Sequence, residues 1–239
     1  MTMNEKLDQH PLLEWREGKP FFRGLPVERR TICVAGRTFE IAQVKEAADL
    51  LNDPEFAKKF VEEDIAPYGV ELWPAATMLA RHILTEECSP TGEAIELGTG
   101  LGLVSIAAAA KGWQVVATDH DPTSLRFAEY NAGINCAHIA RFELTDWNNV
   151  GDSRSFHRVF AADVLYQLVD HTPILRCIDT LLAPDGSAII ADPNRGVADR
   201  FPAMAEEAGF TVDEIPTHAP NALGEEVNGR IFIMRRRTD

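Results

Sequence analysis

No apolar run in this chain of 239 residues approaches the roughly 18 residues that a membrane-spanning helix needs. The longest, "LGLVSIAAAA" and "GSAIIA", are core-length segments. The start "MTMNEKLDQH" lacks the cationic and apolar pattern of a secretory leader, so a soluble cytoplasmic protein with no membrane partner is expected. CxxC pairs are missing too. Cys33, Cys88, Cys136 and Cys177 are widely spaced with no histidine at zinc-ligand spacing, which reads as buried thiols and no metal site. Dense positive charge is scarce: the formal charge is −14, and the only tight basic cluster is "RRR" at 235–237. Docking on a phosphate backbone needs a cationic face, so nucleic acid is not an expected partner. The acidic residues are dispersed, as in "EED" at 62–64. Such a surface keeps a protein soluble, and it also suits a basic protein or a small molecule as partner. Repeats and low-complexity segments are absent as well.

What is present is ordinary globular composition, 45% hydrophobic and 25% charged, in a chain long enough to bury a full core. The rhythm changes near residue 65, and the expected division is an N-terminal extension over 1–65 and a main domain over 66–239. In the extension, "TICVAGRTFEIAQV" alternates apolar and polar residues around "AGR" and predicts a two-stranded hairpin; "PEFAKKFVEED" predicts a short helix. Beyond Pro67, strands and helices alternate. "EAIEL" is a strand, "LVSIAAAA" a helix closing on Gly112, and "QVVATD" a strand. "DPTSLRFAEYNAGIN" is a helix with Asp121 as N-cap and Pro122 at its first position. "RFEL", "RVFAADVL", "PILRCIDTLL", "GSAIIADP" and "VADRFPAMAEEAG" continue the pattern, and "FTVDEI" pairs with "GRIFIMR" at the end. Such alternation requires parallel strands with right-handed crossovers. The predicted fold is a doubly wound α/β domain, Rossmann-like, on a mostly parallel sheet.

One strand-to-helix junction carries chemistry. "ELGTGLG" has glycines at 98, 100 and 102 with Thr99 among them. Glycine permits positive φ and leaves no Cβ between the backbone and a ligand at the helix start. The following strand ends on Asp119, placed to accept hydrogen bonds from two ribose hydroxyls, and together these indicate an adenosine-containing cofactor. A dinucleotide fingerprint reads GxGxxG, whereas position 103 is Leu and Glu96 stands ahead of the first glycine. A pyrophosphate gains nothing from that carboxylate. The α-amino group of a methionine moiety does, so S-adenosylmethionine is the favoured cofactor.

The run "ELGTGLGLVSIAAAAKGWQVVATDHDPTSLRFAEYNAGIN" resembles the cofactor half of the seven-β-strand class I methyltransferases. "APYGVELWPAATMLARHIL", "DW" at 146–147 and "ADVLY" resemble methyltransferase family 16, protein-lysine methyltransferases, and its bacterial relatives. The likeness runs from about residue 31 to the end and implies a seven-stranded class I domain. It implies that Trp73 lines the cofactor pocket, although a core tryptophan under the first helix is an open alternative. It implies that Asp146 and Trp147 hold the adenine, one meeting the exocyclic amine and the other covering the ring. Ala162, beside Asp163, falls in the same cofactor site. Asn131 and Asn135 match asparagines of the family, yet they also suit capping and stay outside the expected site.

The catalytic pair the resemblance implies is Asp163 and Tyr166 in "DVLY". Asp163 ends the fourth strand, where ligands of open α/β sheets bind. Methyl transfer is an in-line attack on carbon, so alignment and water exclusion dominate. A lysine with a free pKa of ~10.4 must first lose a proton, a step that a lone carboxylate opposes because it stabilises the ammonium. Asp163 is therefore expected to grip and orient the amine, and Tyr166 to wall the lysine channel. "ADPNR" ends the fifth strand in the same crevice, so Asp192 and Asn194 are candidates for substrate contact. A small-amine methyltransferase and a non-catalytic binding module are the alternatives to protein lysine methylation. The N-terminal hairpin and the expected loop "THAPNALGEEVNG" at 217–229 decide how open the site is.

Overall fold

The computed structural model describes residues 11–63, 67–151 and 155–237. The boundary expected between residues 65 and 66 lies outside them, as does the stretch 1–10.

The N-terminal region forms four strands, β1 (Glu14–Arg16), β2 (Lys19–Phe22), β3 (Leu25–Val34) and β4 (Arg37–Val44), paired in that order as an antiparallel meander. Two of them extend the expected hairpin. Each connection is a two-residue turn ending in glycine: Glu17 and Gly18, Arg23 and Gly24, Ala35 and Gly36 all have positive φ. Positive φ at both central residues is the hairpin geometry that follows strand twist. Asparagine or aspartate before the glycine would have announced it; here only the glycines do. Helix α1 (Pro54–Glu63) follows, then a 3-10 turn over Pro67–Val70.

The main sheet is built from α2 (Pro74–Thr85), β5 (Glu93–Leu97), α3 (Leu103–Lys111), β6 (Gln114–Asp119), α4 (Pro122–Ile134) and β7 (Arg141–Leu144), followed by β8 (Phe156–Ala162), α5 (Leu168–Leu181), β9 (Leu182–Asp192), α6 (Phe201–Glu207), β10 (Phe210–Pro220) and β11 (Glu226–Arg236). Its seven strands lie in the order β10-β11-β9-β8-β5-β6-β7. The pairs among β5 to β9 are parallel, whereas β11 runs antiparallel to both of its neighbours. Successive residues of one strand enter different cores, as strand geometry dictates. Ile95, Leu97, Val159 and Ala161 pack with α5 and α6; Ala94, Val115 and Phe160 pack with α2 and α3. Helices therefore cover both faces, which is why these strands read as continuous apolar runs.

The structure corrects the expected loop at 217–229. Thr217 pairs with Gly229 and Pro220 with Glu226, so β10 and β11 continue as a hairpin whose turn lies at its tip. Proline is tolerated there because β10 is an edge strand. Arg30 of β3 donates to the carbonyl of Ala222 at 3.0 Å, tying the hairpin tip to the meander.

Candidate active site

Strand β5 ends at the glycine loop, and the loop is held from below. The Thr99 amide donates to Thr118 O at 2.8 Å, and Gly100 N donates to Asp119 Oδ2 at 2.9 Å. Gly98, Gly100 and Gly102 all have positive φ. Their reasons differ. A Cβ on Gly102 would stand 3.0 Å from Ala128 Cβ and 3.1 Å from its Cα, so this glycine lets α3 pack on α4. A Cβ on Gly98 would meet Val164 Cγ1 at 3.0 Å and Trp147 Cζ2 at 3.6 Å. Gly98 thus lies where the loop, Trp147 and the end of β8 converge.

Glu96 is buried beneath the loop. Its Oε2 accepts from Thr99 Oγ1 at 2.7 Å, from Ser105 N at 2.9 Å and from the Ser105 hydroxyl. Burial outweighs these donors and pushes its pKa up to about 8. Thr99 therefore positions the carboxylate and turns its side chain away from the crevice. Asp119 closes β6, with Oδ1 accepting from Asp121 N at 3.0 Å. Burial raises its pKa as well. Each oxygen keeps lone pairs for further donors.

Beyond β7, Asp146 accepts from the Asn148 amide at 2.9 Å, shaping a turn. It lines a cavity of about 390 Å³ together with His120, Leu144 and Val150. The Trp147 ring lies edge-on to His120, 6.2 Å between centroids, and its buried Nε1 has no hydrogen-bond partner among the described residues.

A second constellation sits at the end of β8. The strand closes at Ala162, and Asp163 follows with φ +58°, outside the ladder except that its amide donates to Ala191 O at 2.9 Å. This carboxylate, expected to grip and orient the amine, is already paired in the fold. Arg195 forks onto it, Nε to Oδ1 at 2.5 Å and Nη2 to Oδ2 at 2.9 Å. The guanidinium also lies over Trp73, 5.8 Å from the ring centroid. Trp73 caps the start of α2, half-buried, and donates its Nε1 to Tyr68 O at 2.9 Å. It stands at the surface of the crevice rather than in the core. The Tyr68 ring meets Trp73 at 5.7 Å and Tyr166 at 6.0 Å, both edge-on. Burial pushes the Tyr166 hydroxyl up to about 12, with Asp170 and Asp119 adding to the effect, so it stays a neutral phenol.

Asp192 is fully buried and structural: its Oδ1 accepts from Arg195 N at 3.0 Å and from Arg230 Nε at 3.1 Å. This candidate for substrate contact is thus buried, its Oδ2 without a hydrogen-bond partner among the described residues. Asn194 is exposed, with φ +58°. Asn131 and Asn135 reach from α4 to β4, and Asn131 also donates to Leu101 O of the glycine loop. Sequence pattern alone does not single out Arg195, Tyr68 or His120. Tyr68 and Arg195 lie inside "APYGVELWP" and "ADPNR", but their partners are set by folding, with Arg195 32 positions beyond Asp163.

The residues fit an adenosyl cofactor: a glycine cradle, an acid at the end of β6, a buried acid under the loop, and a cavity edged by Asp146. The sheet order is that of the class I methyltransferase fold. The chain belongs to the lysine methyltransferase family, whose sequence profile matches residues 55–207, more than half of it. It is 32% identical over 143 residues to the protein-lysine N-methyltransferase rrg1 of Schizosaccharomyces pombe, covering 53% of this chain and 47% of that protein. The chain therefore spans about half the length of that relative. It is 30% identical over 165 residues to the mouse protein N-lysine methyltransferase METTL21A, covering 65% of this chain and 75% of that one. Among solved structures, the ribosomal protein L11 methylase of Lactobacillus delbrueckii superposes with a TM-score of 0.52 at 22% identity, over 67% of this chain and 78% of that chain. That likeness concerns the fold alone.

Proposed function

We propose that the chain N-methylates a lysine side chain of a partner protein. The observation that carries this reading is the aromatic mouth of Tyr68, Trp73 and Tyr166 beside Asp163, at the carboxyl end of β8 and next to the glycine loop. An aliphatic amine chain slides between ring faces that exclude water, and Asp163 keeps lone pairs to accept an N–H. When bound, S-adenosylmethionine would supply an electrophilic methyl group on a cationic sulfur, and that sulfur would keep the C–S electron pair when the methyl leaves.

In this reading Glu96 receives the α-amino group of the cofactor and Asp119 the ribose hydroxyls. Gly98, Thr99, Gly100, Gly102 and Ala162 shape the cradle, Trp73 its methionine end, and Asp146 and Trp147 the adenine end. Asp163 and Tyr166 orient the amine. The charge of −14 suits a basic partner. A cytoplasmic location belongs to the same reading: none of the four cysteines is in a disulfide, and among the described residues no helix is long and apolar enough to cross a membrane.

Incubating the protein with methyl-tritiated cofactor and cell extract tests this. Label is expected in a protein band and, after hydrolysis, in methyllysine. Label confined to small molecules would replace the proposal with a metabolite methyltransferase, and absence of cofactor binding at millimolar concentration would leave a scaffold. With the labelled acceptor in hand, Asp163→Asn and Tyr166→Phe are each expected to lose at least about tenfold in kcat/KM. Near wild-type values for both would remove these residues from the site.

A further inference from the structure

Arg195 is held at every point. Its amide donates to Asp192 Oδ1, its carbonyl accepts from Arg230 Nη2 at 3.2 Å, and its guanidinium is fixed between the fork on Asp163 and the face of Trp73. The hydrogen bond to Asp163 is the main reason its pKa rises further, so it remains charged throughout the working range.

The surrounding charges are also accounted for. Asp192 pairs with Arg230, which reaches Asp199 at 2.8 Å and Glu214 at 3.9 Å on the outer side. Tyr68 and Tyr166 present phenols from the aromatic side, and Asp119 and Asp170 lie toward the cofactor crevice, with His120 beside Asp119. Asp163 therefore faces the mouth as half of a closed ion pair.

That matters because an ammonium has no lone pair to attack with. At pH 7 only about one lysine in 2,500 is neutral, and an unopposed carboxylate lowers that fraction. A carboxylate already forked by arginine keeps acceptor sites for a neutral amine but loses most of its attraction for a cation. We propose that Arg195 is a positioning residue: by neutralising Asp163 it makes the site receive the substrate nitrogen as a neutral amine, the proton passing to water on entry, and turn the ammonium away. This rests on the amine-methylation reading above and gives that site its charge preference.

The test needs no acceptor. Sinefungin resembles the cofactor but has a CH carbon in place of the sulfur, bearing a primary amine where the methyl would be; S-adenosylhomocysteine keeps the sulfur and carries nothing there. Both are titrated calorimetrically at pH 7 into the full-length wild type, R195Q, D163N and the double variant, and the ratio of the two affinities is read. R195Q is expected to raise the ratio in favour of sinefungin about tenfold, because Asp163 is then free to pair with its ammonium. The gain should fade as pH rises through the titration of that amine. The double variant should return to within about threefold of wild type, because its site is again neutral. D163N alone should lower the ratio, and it carries the test if R195Q does not fold. A ratio that R195Q leaves unchanged or lowers, or that the double variant keeps raised, overturns the proposal. Wild type that binds neither nucleoside instead removes the cofactor reading on which the proposal stands.

Discussion

With Oε2 already taken by Thr99 and Ser105, Glu96 is held where water cannot reach it, and its protonation becomes part of the stability of the fold. The folded chain binds the proton up to about pH 8, whereas an ordinary glutamate gives it up near 4.5. The stabilising contribution of the protonated form is therefore fully present below 4.5 and is lost as pH rises to about 8. Glu96→Gln, which cannot ionise, should match wild type near pH 4.5 and exceed it by about 1–3 kcal/mol at pH 9 in urea unfolding. It should also bind S-adenosylmethionine at least about tenfold more weakly, because Glu96 can give up its proton when the cofactor's α-ammonium arrives and pair with it, whereas glutamine cannot. A stability gap that does not widen with pH would show that Glu96 ionises freely in the fold. The position of Glu96 two residues before Gly98 is readable from the sequence. Its titration is not, since desolvation depends on atoms brought in by α3. The same holds for Asp163: its place at a strand end is legible, but the arginine that closes it arrives from another strand end.

Asn131 and Asn135 show how one helix can serve as a further strand. Four residues along an α-helix rise about 6 Å, and two residues along a strand advance about 6.8 Å. The two amides therefore line up with Ala42 and Glu40 on the edge of β4. Asn131 accepts from Ala42 N at 2.8 Å and donates to Ala42 O at 3.1 Å and Leu101 O at 2.9 Å; Asn135 accepts from Glu40 N at 2.9 Å and donates to Glu40 O at 2.7 Å. Each side-chain amide stands in for the peptide of a neighbouring strand. Because Asn131 is fully buried, Asn131→Ala leaves a backbone N–H and two carbonyls unpaired, and a loss of about 2–4 kcal/mol in urea unfolding is expected. Asn135→Ala, nearer to water, should lose about half as much. Equal, small losses below ~0.5 kcal/mol would mean that water replaces both clamps. Sequence reading places Asn131 on the helix, and Asn135 takes the expected capping position at its C-terminal end. The clamp is invisible to it because β4 lies some 90 residues earlier. The three glycine turns of the meander and the prolines of β10 are hard to read for the opposite reason: their signals are local, but they are shared with ordinary loops.

At the scale of the whole molecule, the meander shares a hydrophobic core with the helices it covers. Phe22, Val27, Phe39 and Ile41 are buried in one cluster with Leu101, Ile106, Phe127 and Tyr130. Phe22 meets Phe127 edge-on at 5.2 Å, Arg29 donates to the Tyr130 hydroxyl at 2.8 Å, and Arg37 donates to Ala110 O at 3.0 Å. The change of rhythm near residue 65 marks a change of local pattern, from hairpins to strand–helix alternation. Local pattern does not report which apolar faces share a core, and here the outer faces of α3 and α4 are covered by residues between 12 and 44. The expected division has the extension packed on the core of the main domain, and we propose that the two fold as one cooperative unit. Heating or urea should unfold the chain in a single transition, coincident by far- and near-ultraviolet dichroism. A chain beginning at residue 46 would expose Ile106, Phe127 and Tyr130 and strand the Asn131 amide. It should show no cooperative transition. A truncated chain that melts cooperatively within about 1 kcal/mol of the full one would establish the main sheet as an independent domain. The meander would then be a removable cover, with the aromatic mouth at Tyr68 and Trp73 left to the sheet alone.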